Sequence, residues 1–153
     1  MTKTTLILLA IFSLPLLGIA QEKTDKQQVE ALIQNSFDEL FSDFNSEKTS
    51  DYYTEDFLLL ELGEIWSLEM VTEYFDQAKS NPNRTTRLNK FEFIKTVIDG
   101  DRAWTSYWNW ATFKQGEKVV RELKWLESAT AVRTEEGWRL DMLHSTRVEE
   151  NED

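Results

Sequence analysis

No cysteine occurs anywhere in the 153-residue chain, and histidine occurs once. The first absence excludes disulfides, thiolate metal sites and a lipid-bearing cysteine behind an export signal. The second leaves His144 without the companions from which a zinc or iron centre is built. Basic residues are also scarce: 17 Lys and Arg against 28 Asp and Glu give a formal charge of −11, which repels phosphate backbones and anionic membranes. Nucleic acid is therefore not an expected partner. Two prolines and five glycines supply no linker or low-complexity tract. The acidic stretches 47–56 and 149–153 lack a calcium-loop signature and read as solvated surface. Neither a metal nor a cofactor is expected.

Long apolar runs are missing too, with one exception at the start. Leu6 to Leu17 follows Lys3 and precedes Gly18-Ile19-Ala20, a small-x-small site, so residues 1–20 read as a signal peptide cleaved after Ala20. The run is shorter than the roughly 20 apolar residues of a spanning helix, and a polar segment follows at once. The expected product is secreted or periplasmic and free of the membrane, with one domain over residues 21–148 and a disordered acidic tail, 149–153. A hydrophobic content of 41%, with six Trp, is enough to build one core.

What is present has clear periodicity. Thr24 and Gln27 fit a capping box, and Val29, Leu32, Ile33, Phe37, Leu40, Phe41 and Phe44 then recur at steps of three and four, predicting a long amphipathic helix. A short helix at Ser50 to Tyr53 leads to an extended stretch, Phe57 to Leu62, which turns at Gly63-Glu64. Ser67 reads as the N-cap of a third helix, which ends before Asn81-Pro82-Asn83. From Arg84 onward, punctuation at Asp99-Gly100, Gln115-Gly116 and Glu135-Glu136-Gly137 separates four long antiparallel strands: Thr85 to Val97, Arg102 to Lys114, Glu117 to Thr134 and Trp138 to Val148. Strands this long must twist, so the sheet should wrap around the helices in an α+β fold.

Tyr52-Tyr53-Thr54-Glu55-Asp56-Phe57 leading to Gly63-Glu64-Ile65-Trp66-Ser67, the hairpin Asp99-Gly100-Asp101-Arg102-Ala103, and the closing Gly137-Trp138-Arg139-Leu140 with His144-Ser145 together resemble the SnoaL-like, polyketide-cyclase-like (DUF4440-type) proteins of the nuclear transport factor 2 (NTF2)-like superfamily. The resemblance spans nearly the whole mature chain. It implies a cone, with a long N-terminal helix and two shorter ones packed in a strongly curved, mixed but mostly antiparallel sheet, and a pocket at the open end. The superfamily holds isomerases, dehydratases, cyclases and non-catalytic binding or assembly domains, so the fold leaves function open. The tyrosine and aspartic acid oxyanion pair and the aspartate base of the ketosteroid isomerases have no counterparts at matching positions.

Unbroken alternation along the last strand places Trp138, Leu140, Met142, His144 and Thr146 on the inner face. His144 then reads either as a structural histidine with a hydrogen-bond partner or as the acid or base of a cofactor-independent isomerase, dehydratase or cyclase. Ser145 and Asp141 alternate away from it, which excludes a local triad. Tyr107-Trp108-Asn109-Trp110 is aromatic on both faces; one face lines the cone and the other meets a second subunit, or Trp108 and Trp110 form a stacking platform. If Trp125 lines the pocket, Glu127 on its face becomes a buried acid with a raised pKa; if it faces out, Glu127 is a surface charge. The expected pocket is bounded by Tyr53, Trp66, Tyr107, Trp125 and His144 and holds a small hydrophobic or aromatic molecule. Non-catalytic homodimerisation is the remaining alternative. Asn83-Arg84-Thr85 matches a glycosylation sequon, which matters only in a eukaryotic secretory pathway.

Overall fold

The computed structural model describes residues 23–149; residues 1–22, which include the expected signal peptide, and residues 150–153 of the expected tail lie outside them. Helix α1 (Asp25–Ser36) starts at the expected capping box: Thr24 accepts from the Gln27 backbone N–H, and the Gln27 side chain accepts from that of Thr24. Its apolar stripe runs on, but the backbone widens into a π-helical turn over Phe37–Ser42. The Asp43 N–H accordingly bonds the Asp38 carbonyl, five residues back. A 3-10 turn (Ser46–Lys48) and the short α2 (Thr49–Tyr52) follow, then strands β1 (Tyr53–Glu61) and β2 (Glu64–Ser67). Ser67 caps α3 (Leu68–Ser80) by accepting from the Met70 N–H. Strands β3 (Thr86–Asp99), β4 (Arg102–Gln115), β5 (Lys118–Thr134) and β6 (Gly137–Val148) complete the domain.

The six strands form one sheet in the order β2-β1-β6-β5-β4-β3. Only β1 and β6 pair in parallel; the other four pairings are antiparallel. The helices occupy the concave side. Ala103, Ala129 and Ala131 line the centre of that face, and their small side chains leave depth for Val29, Ile33, Phe37 and Leu40, all at most 2% exposed. Each such large apolar side chain contributes about 1.5–3 kcal/mol on burial.

Among the register shifts of the sheet, those on β6 and β3 bear on the site and on the sheet's edge. On β6, Met142 pairs with Thr130 but Leu140 pairs with the adjacent Ala131, so Asp141 is an extra residue. A bulge reverses the alternation beyond it. Trp138 and Leu140 point inward as expected, but Leu143 and Ser145 take over the inner face and His144 is exposed. On β3, the edge strand, Phe93 pairs with Tyr107 and Lys95 with Ser106, leaving Ile94 unpaired and 55% exposed.

Candidate functional site

At the end of the cone opposite the start of α1, the helix layer stops short of the sheet and leaves a cavity of about 340 Å³. Its walls are Phe41 and Phe44 from the end of the first helix, Leu59 and Trp66 from β1 and β2, Tyr74 from α3, and Trp125 from β5. It opens sideways into a more polar lobe of about 440 Å³ that shares Phe44, Tyr74, Arg87, Phe113 and Arg121 with it. A constriction of about 20 Å³ leads inward past Arg87, Glu61 and Trp125 to Glu127 and Ser145.

Two backbone positions in this wall are strained. Phe44 (φ 54°) and Leu62 (φ 52°) are the non-glycine residues of positive φ among the described residues, and both line the cavity. Holding an L-residue there costs roughly 1–2 kcal/mol, and such cost tends to persist where a binding surface requires it. The π-helical turn delivers Phe41 and Phe44 to the same wall.

Arg87, on β3, is the cation nearest the cavity floor. Its guanidinium carbon lies 5.3 Å from the ring centroids of Phe37 and Phe41, 5.6 Å from Phe113 and 5.1 Å from Trp125. Its Nε donates to Asn89 Oδ1 at 2.9 Å, and Asn89 in turn donates to Ser42 Oγ at 3.1 Å, which fixes the side chain. Burial lowers the Arg87 pKa from its ordinary value, with the Glu127, Tyr74 and Glu61 charges opposing.

Beneath the constriction Glu127 is only 4% exposed. Asn109 Nδ2 and Ser145 Oγ each donate to its carboxylate at 3.2 Å. Burial nevertheless pushes the carboxyl up to about 7, against the pull of Arg87 and of those donors. The Tyr107 hydroxyl is close enough to interact with the carboxylate without reaching hydrogen-bond geometry; the Tyr53 and Tyr107 hydroxyls and Asn109 Oδ1 are buried without hydrogen-bond partners. A proton acceptor or donor poised near neutrality, among unpaired hydroxyls, is suited to general acid–base work.

No family model and no curated protein matches the sequence. Solved structures do match. A CaMKII hub homology domain from Chlamydomonas reinhardtii superposes with a TM-score of 0.68 at 20% identity, covering 80% of this chain and 97% of its own. A Streptomyces avermitilis protein described as a candidate dehydratase of the NTF2-like family gives 0.64 at 17%, covering 82% and 97%. The fold is NTF2-like. A ketosteroid isomerase-like protein from Erwinia carotovora atroseptica shares it, with a TM-score of 0.62 at 14% identity over 84% of this chain and 100% of its own. Identities this low carry the NTF2-like architecture and no activity.

Within the NTF2-like cone the residues read from the sequence separate into three groups. Trp66 and Trp125 stand in the cavity wall. Tyr53 and Tyr107 are buried deeper, at 3% and 0% exposure, Tyr53 stacked on Phe57 at 3.9 Å and Tyr107 edge-on to Phe91 at 5.8 Å. His144 lies on the convex face, so the inner placement expected for it is wrong; the extra residue Asp141 reverses the strand phase, and the position that alternation assigned to His144 is held by Ser145. Trp125 lines the pocket, and Glu127 is the buried acid that this placement implies. Sequence pattern alone did not single out Arg87, Asn109, Ser145, Glu61 or Arg121. A signal for Arg87 was available: it shares a strand face with Asn89, Phe91 and Phe93, two polar residues prolonging an aromatic inner stripe.

Proposed function

We propose that this chain is an exported small-molecule-binding domain of the SnoaL-like, DUF4440-type branch of the NTF2-like fold, with its ligand in the mouth of the cone. The observation that supports this reading is the cavity itself: about 340 Å³ walled by aromatic side chains, where a purely architectural cone would be plugged. The strained Phe44 and Leu62 in the same wall add to it. The test is a ligand screen by thermal shift against the mature domain and its Trp125→Ala variant. Hits that stabilise the parent and lose that effect in the folded variant are expected; hits insensitive to Trp125→Ala would place binding elsewhere.

A second reading is favoured by Glu127. With its carboxyl near 7 at the end of the constriction, it is the acid or base of a cofactor-independent isomerase, dehydratase or cyclase, in the role the sequence suggested for His144. Glu127→Gln should then abolish turnover of any substrate found while His144→Ala leaves it unchanged. The reverse result would remove Glu127 from the chemistry. The convex face, where Trp104 is 43% and Leu126 40% exposed, is the surface through which a homodimer would form, and light scattering that shows a strict monomer at high concentration rejects it.

A further inference from the structure

The chain has seven arginines, and their partners divide them by place. Arg102, Arg133 and Arg139 each meet a carboxylate within 4.0 Å. Arg84, Arg87 and Arg121 meet none among the described residues, and all three line the polar lobe of the mouth. Arg147, exposed near the end of β6, is outside that lobe. In a chain where carboxylates outnumber cations 28 to 17, three arginines gathered around one opening without a carboxylate on any of them is an arrangement that folding alone does not call for.

Each of the three lies on an aromatic ring instead. Arg84 is 5.9 Å from the Phe44 centroid, Arg121 is 4.5 Å from Phe113, and Arg87 has its four rings. Ring faces hold a guanidinium while leaving its charge unneutralised. Arg87 spends its Nε on Asn89, and its two Nη groups donate to no protein acceptor among the described residues. That leaves a planar pair of donors, half-buried and fixed from behind, on the cavity wall. A carboxylate matches such a fork with two parallel hydrogen bonds. The neighbouring lobe, with Leu59, Trp66, Val71, Leu123 and Trp125, takes a flat apolar body.

We infer that the mouth of the cone binds a small organic monoanion, a carboxylate on a flat apolar body, with the carboxylate on the Arg87 fork and Arg84 and Arg121 at the entrance drawing it in. The inference rests on the ligand-binding reading above and adds the charge of the ligand to it. Glu61 and Glu64 on the facing wall restrict the anion to a single charge, since a dianion would have to sit against them.

The test uses benzoate, cinnamate and 2-naphthoate against their neutral amides, titrated into the mature protein at pH 7.5 and followed by tryptophan fluorescence and NMR. The best carboxylate should bind roughly tenfold or more tightly than its amide. Arg87→Met, similar in length and uncharged, should bring the acid down to the level of the amide while changing the amide little. Arg121→Gln should weaken the acid severalfold and flatten its salt dependence. Should Arg87→Met fail to fold, Arg87→Lys keeps the charge but not the fork and should cost most of the preference. Equal binding of acid and amide by the parent protein overturns the inference while the ligand-binding reading stands. No binding by any probe defeats both.

Discussion

Where α1 begins, Arg133 sits between Asp25 and Asp101, and Arg139 donates to Glu136 and to the Ser50 carbonyl. At the opposite end of the sheet, Arg84, Arg87 and Arg121 rest on aromatic rings with no carboxylate within 4.0 Å among the described residues. The apolar packing differs in the same way. Trp138, Leu140 and Phe57 are at most 4% exposed at the first end, whereas Tyr74 and Leu62 at the mouth are 41% and 77% exposed. A closed end can satisfy every charge internally, because nothing else will arrive there. Under the ligand-binding proposal the open end leaves part of its charge and part of its apolar surface unmatched, and the fold is weakened locally by that amount.

The largest test of this contrast is truncation at each end. Phe57→Ala should destabilise by about 3–5 kcal/mol, because its cavity is enclosed on every side. Tyr74→Ala should cost only about 1 kcal/mol, because half of its ring is already in water, yet it should weaken ligand binding while Phe57→Ala does not. Chemical denaturation and a ligand titration read both. Equal stability losses would mean that the mouth is as tightly packed as the closed end.

The two ends should also respond to pH with opposite signs. Glu127 has its pKa raised from 4.5 to about 7, so the folded state holds a proton there that the unfolded chain releases. Its contribution is fully present below about pH 4.5 and is lost as pH rises through about 7, a decline on the order of 3 kcal/mol that Glu127→Gln should remove. Asp25 has its pKa lowered by its hydrogen bond to Arg133, so its contribution is present above pH 3.8 and disappears as pH falls below that. Urea unfolding between pH 4 and 8 checks the first, and Asp25→Asn below pH 4 the second. A parent protein whose stability is flat from pH 5 to 7 would show that Glu127 is ionised throughout.

Smaller effects separate strain from packing. Leu62 and Gly63 both have positive φ, the turn for which Asn-Gly is the favoured pair. Leu62→Asn should therefore stabilise by about 1 kcal/mol while taking an apolar group from the cavity rim and weakening binding. A stabilised variant that binds as well as the parent would show that this strain serves no ligand. His144→Ala, on the convex face, should change stability by less than about 0.5 kcal/mol and binding not at all.

Local signals in the sequence carried most of the fold. The capping box at Thr24, the cap at Ser67 and the glycine turns at Gly100 and Gly116 are short-range chemistry, and the elements they bound occur within a residue or two of the expected positions. The site was legible only in part, because it depends on strand phase. Trp125 and Glu127 both lie beyond the extra residue Val120 of β5, with no break between them, so they share a face and the conditional expectation for Glu127 follows from Trp125 alone. His144 lies beyond Asp141, and Met142-Leu143 conceals the reversal because both residues are apolar and either could face in. Arg87 was missed for another reason. An arginine on an inner face is read as solvent-facing unless the rings that shelter it are known, and Phe37 with Phe41, Phe113 and Trp125 come from three separate segments of the chain.

The Ile94 bulge bears on a hazard unrelated to ligands. β3 is a 14-residue strand on the open margin of the sheet, long enough to template the strand of another molecule and begin a β-linked aggregate. The extra residue breaks its hydrogen-bond rhythm at mid-length, and Lys90 and Lys95 stand on either side of the break. An approaching strand would find two short stretches in different register, guarded by charge, in place of one continuous edge. Removing Ile94 would restore that continuity, and the shortened protein should aggregate at concentrations where the parent remains dispersed.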